Sequence, residues 1–161
     1  MRHKLIILTL LMAANCVALR AQVRFTSDPY VFLDMDLEAK EKSALLTIIT
    51  RSENYQMKTF PKLTITMMND SVVEVTGKVR NSSPSMAIVG GTVDKDHKES
   101  NALFHITQHQ AKLFKAGIKR IVIQMEPYWF DHEWEKDELG SKLYERYSES
   151  KTRYMIKKRN K

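Results

Sequence analysis

The chain has 161 residues, a formal net charge of +7, 43% apolar residues and one cysteine, Cys16. A single cysteine excludes a disulfide framework and a thiolate-rich zinc site, so the fold has to rest on an apolar core; a domain of roughly 150 residues buries about two-thirds of its unfolded surface and can do so. The charge is uneven: Arg2, Lys4 and Arg20 lie at the start and Lys151, Arg153, Lys157, Lys158, Arg159 and Lys161 at the end, which leaves 17 of the 26 basic residues against all 19 acidic ones between them.

Residues 1–21 read as a secretory signal peptide. Arg2, His3 and Lys4 form a basic start, Leu5 to Ala18 an almost unbroken apolar stretch, and Ala21 a small residue before Gln22. The run is shorter than the roughly 20 apolar residues that cross a bilayer, and no second run follows. An exported protein, periplasmic or secreted, with no transmembrane segment after cleavage is therefore expected. Cys16 is a poor lipid-attachment site, because Asn15 stands where a small residue is normally required.

Residues 22–150 are expected to form a single α+β domain. Its main part is an antiparallel bent sheet or small barrel of about six or seven strands, since runs of apolar and β-branched residues alternate with polar ones. YVFLDM (30–35) and SALLTIITR (43–51) read as two strands joined by the charged connection DLEAKEK. KLTITMM and SVVEVTGKV read as a hairpin across Asn69 and Asp70, residue types that tolerate the positive φ of tight turns. SMAIVGGTV (85–93) is a further apolar run, in which Gly90 and Gly91 predict a bulge or bend. The polar DKDHKESN (94–101) reads as a loop.

HITQH (105–109) has two histidines four apart, the spacing of helical zinc sites. Phe104 and Ile106 alternate around His105 at strand spacing, however, and Thr107 with Gln110 matches a capping box at a helix start. Ile106 also stands where a metalloprotease motif needs its glutamate. A strand, a short helix over about 108–116, a terminating Gly117 and a further strand IKRIVIQME are expected, with no metal site. After Pro127 a C-terminal helix is expected over about 131–150, capped by Asp131, with Leu139, Leu143 and Tyr147 spaced by four on its apolar side.

The segments KLTITMMNDSVVEV, FHITQHQAKLFKAGIKRIVI and KDELGSKLYERY together resemble a pattern of uncharacterised small secreted or periplasmic proteins of Bacteroides-type bacteria. The resemblance implies a hairpin, a helix-to-strand unit and a C-terminal helix over about half of the mature chain. Ser71 replaces the usual turn glycine. That group has no assigned activity, so no catalytic residue follows from it.

Two clusters carry whatever chemistry the sequence offers. Tyr128, Trp129, Asp131, His132, Glu133 and Trp134 place aromatic rings among carboxylates, as sugar sites do, although seating a helix on a sheet explains the same residues. The basic tail 151–161, with Lys151, Arg153, Lys157, Lys158 and Arg159, is either a solvated terminus or a site for an anionic partner. Nucleotide-binding and serine-hydrolase motifs are absent from the sequence. The leading expectation is an exported non-catalytic binding or structural protein of the cell envelope, with an envelope protein or polysaccharide as partner, no nucleic acid and no cofactor. A small-ligand or carbohydrate carrier with a pocket near 128–135 is the alternative, and a hydrolase the third.

Overall fold

The computed structural model describes residues 21–24, 31–89 and 92–159. The signal-peptide stretch, Cys16, and the bend expected at Gly90 and Gly91 lie outside the described residues.

Alternation of apolar and polar residues builds two antiparallel sheets. The first has the order β1-β2-β3-β8-β7, from β1 (Ala21–Arg24), β2 (Phe32–Ala39), β3 (Ser43–Ser52), β7 (Lys78–Val89) and β8 (Thr92–Thr107). The second has the order β10-β9-β5-β6, from β5 (Lys62–Met67), β6 (Val72–Thr76), β9 (Ile118–Glu126) and β10 (Trp129–Glu133), and the two-residue β4 (Gln56–Met57) also pairs with β9. The amides of Gly77 and Val79 donate to the carbonyls of Pro61 and Thr59, which ties the start of β7 to the segment before β5 and curls the assembly into a half-barrel. The helices are α1 (Gln108–Leu113), continued by a 3-10 turn Phe114–Ala116, and α2 (Gly140–Arg159). No helix among the described residues is long and apolar enough to cross a membrane.

The α+β class, the antiparallel sheet and the presence of a short helix and a C-terminal helix are as expected, but the strands are more numerous and longer and the C-terminal helix is shifted to Gly140–Arg159. β2 runs through Leu37 and Ala39 into what reads as a connection, because both residues are buried and pair with β3. The polar residues 94–101 lie within β8, held by pairing to β7 and, from Lys98 onward, to β3. The β5–β6 hairpin forms where expected, with the four residues 68–71 between its strands. The amide of Asp70 donates to the Met67 carbonyl, and Asp70 takes the left-handed φ of 60°.

The core lies on the concave side of the half-barrel. Leu33, Met35 and Leu37 of β2, Ala44, Leu46 and Ile48 of β3, and Leu63, Ile65 and Met67 of β5 are all at most 1% exposed. Phe104 of β8 sits under Gly77, where an added Cβ would meet its ring at 2.5 Å, so only glycine fits there.

Candidate functional site

The expected unit around HITQH is present: Thr107 Oγ1 accepts from the Gln110 amide at 3.1 Å, and Gln110 Oε1 accepts from the Thr107 amide at 2.8 Å. His105 is therefore on β8 and His109 on α1, both exposed and on different elements. Among the described residues no cluster of three His, Cys, Asp or Glu side chains is placed to hold a metal ion.

The segment 128–134 is a strand and not the start of a helix. β10 pairs with β9 from Trp129 opposite Gln124 to Glu133 opposite Arg120, and the Trp134 amide continues the pairing to the Lys119 carbonyl. Strand periodicity splits the predicted cluster between two faces. Trp129, Asp131 and Glu133 are on the exposed side, while His132 packs on the inner side between Phe130 and Trp134, with ring centroids 6.4 and 4.5 Å away. Trp134 is 7% exposed and belongs to the core. Asp131 caps no helix: its carboxylate takes a bidentate pair from Arg120, with Nε at 2.7 Å. The bond from Arg120 holds the Asp131 carboxyl below its ordinary range, against a smaller upward push from burial.

What β10 does present is aromatic. Tyr128, in the turn after the cis peptide Glu126–Pro127, is 66% exposed, and Trp129 is 52% exposed. Phe60, 60% exposed, precedes β5 at the same end of the sheet, where Lys62 and Trp129 both lie beside Gln124. Tyr55 leans on Tyr128 at 6.2 Å between ring centroids. Among the described strands β10 is the end strand of the second sheet, paired with β9.

The cap of α2 is a residue the sequence reading did not single out. The Asp137 carboxylate accepts from the amides of Gly140 at 2.6 Å and Ser141 at 2.9 Å, from the Ser141 hydroxyl, and from the Ile118 amide at 2.9 Å. Burial raises its pKa, but these bonds together outweigh burial and hold it below the ordinary carboxylate value. The signal was there: Asp137 precedes Gly140 and Ser141 by three and four residues, within reach of the first free amides of a helix.

Because α2 begins at Gly140, it also ends later than expected and carries the basic residues through Arg159 on a helix in place of a loose tail. The helix lies along β2 beyond Met35, the last residue that pairs with β1 among the described residues. Arg146 binds Asp36 at 2.9 Å, and the Ser150 hydroxyl accepts from the Ala39 amide at 2.7 Å. Open grooves of about 490 and 470 Å³ flank the helix, the first toward β2 and the second toward α1. Tyr147, 2% exposed, lines the second groove; burial and then the neighbouring Tyr144 push its pKa up.

Compared with protein-family models, with characterised proteins and with solved structures, the chain matches none.

Proposed function

We propose that the protein is an exported, non-catalytic binding protein of the cell envelope, and that it captures a partner protein through the aromatic end of its second sheet. The observation that carries this reading is that Phe60, Tyr128 and Trp129, each more than half exposed, stand at one end of the second sheet. Large aromatic rings left in water are costly for a monomer and are the residue types that anchor protein interfaces. Export rests on the basic and apolar pattern of residues 1–21.

Two further observations support a binding role over catalysis. The Asp131 carboxylate is already engaged by Arg120 and held low, which makes it a poor proton donor at neutral pH. Trp134 and His132 pack inward, so they and the exposed Trp129 do not converge on one substrate.

The reading is tested by placing a photo-crosslinking amino acid at Trp129, Tyr128 or, as a control, His105 in the exporting cell. Discrete adducts from Trp129 and Tyr128 and none from His105 are expected, and they should vanish when Phe60 is changed to Ala. Equal labelling from all three positions would overturn it. Retardation by a neutral polysaccharide gel that is lost in Trp129→Ala would instead assign the patch to carbohydrate.

A further inference from the structure

The distal half of α2 stands clear of the core. The buried residues of the helix are Gly140, Leu143 and Tyr147, all in its first eight positions. Beyond them Met155 and Ile156 are 50% and 55% exposed. From Lys151 to Arg159 the helix carries five cations and no anion.

These features share a face. At 100° per residue, Ser148, Thr152, Met155 and Arg159 fall along one stripe, with Lys151 and Ile156 on its two sides. With Lys112 of α1 they line the open groove of about 470 Å³, and among the described residues no carboxylate lines it. Lys151 lies 5.9 Å from the centre of the Tyr147 ring, whose buried hydroxyl has no hydrogen-bond partner among the described residues. Lys158, two turns beyond Lys151 on the same side of the helix, is tied to Glu41 at 2.9 Å and does not line the groove.

We propose that this face docks the protein on an anionic lipid bilayer. Met155 and Ile156 enter the boundary between headgroups and acyl chains, while Lys112, Lys151 and Arg159 lie against lipid phosphates. Cations beside exposed apolar side chains at one end of a helix are the pattern of an interfacial anchor. A soluble polyanion satisfies the cations but leaves Met155 and Ile156 in water, whereas a bilayer surface satisfies both. An open groove also suits a surface better than it suits an enclosed small ligand. The inference is independent of the aromatic end of the second sheet, which it does not use.

The test is co-sedimentation of the full chain with vesicles of phosphatidylglycerol and phosphatidylcholine, residues 1–21 being the same in every variant so that their contribution cancels. Binding to the anionic vesicles is expected to weaken with added salt. Lys151→Gln with Arg159→Gln should lower the partition coefficient about 25-fold, at about fivefold per cation. Met155→Ser with Ile156→Ser should lower it about tenfold at every salt concentration. Unchanged circular dichroism and unfolding midpoint establish that both double variants are folded. Wild-type partitioning by either double variant overturns the proposal. So does equal binding to pure phosphatidylcholine, or binding to heparin in solution that matches vesicle binding and is indifferent to Met155 and Ile156.

Discussion

Asp137 does more than any other single side chain to fix the C-terminal third of the molecule. One carboxylate binds the first turn of α2 and the first residue of β9 together, so its removal leaves the amides of Ile118, Leu139, Gly140 and Ser141 short of an acceptor. Asp137→Ala should cost about 2 kcal/mol, measured from the urea midpoint. Its folded-state pKa lies below the unfolded value of about 3.9, so its contribution is fully present above that value and disappears as pH falls through the folded pKa. The stability gap between wild type and Asp137→Ala should therefore be constant at neutral pH and close in acid. Gly140 gives a prediction of unusual sign. Helix propensity alone makes Gly→Ala favourable by about 1 kcal/mol, yet a Cβ at Gly140 would meet the Gly117 Cα at 2.6 Å and the Ile118 nitrogen at 2.6 Å. Gly140→Ala should lower the melting temperature, and a rise would refute this close approach of α2 to β9. The sequence reading put the cap at Asp131 because acids followed by a basic stretch fit a helix start. Pairing of Asp131 with Val122 across β9 decides otherwise, and no local pattern announces that contact.

At the scale of elements, local signals were readable and long-range ones were not. The β5–β6 hairpin and the strand, capped helix and Gly117 unit each carry their own instructions in neighbouring residues, and both form where expected. Thr107→Ala should accordingly lower stability by about 1 kcal/mol, as loss of a capping residue does; no change in the denaturation midpoint would mean that α1 is held by packing alone. The polar 94–101 segment became strand because it has partners on β7 and, at its end, on β3, which composition does not reveal. The helix expected at 131–150 was displaced for a related reason. Residues 129–133 alternate as well as they would amphipathically coil, and the open edge of β9 offered them hydrogen bonds.

For the whole molecule, the two tryptophans report on whether the aromatic end faces water. Trp134 is in the core and Trp129 is half exposed, so acrylamide should quench about half of the emission readily. Trp129→Phe should shift the remaining spectrum to the blue and remove that accessible fraction. Two emitters of equal accessibility would contradict the placement of β10. The predicted site residues were thus individually noticeable but not collectively legible: strand geometry divides them into an outward and an inward set, and the exposed Phe60 that joins the outward set is some seventy residues away in the chain.

The hydroxyl of Ser150 on the Ala39 amide has a consequence for solubility. Among the described residues β1 pairs with β2 only as far as Met35, and beyond it α2 lies on the apolar edge of β2 at Leu37 and Ala39. Such an edge invites the strand of another molecule. By lying there, with Arg146 on Asp36 and Ser150 on Ala39, α2 keeps the first sheet from growing. A chain ending before Gly140 should self-associate through β2 into oligomers that scatter light, even where its remaining strands still fold.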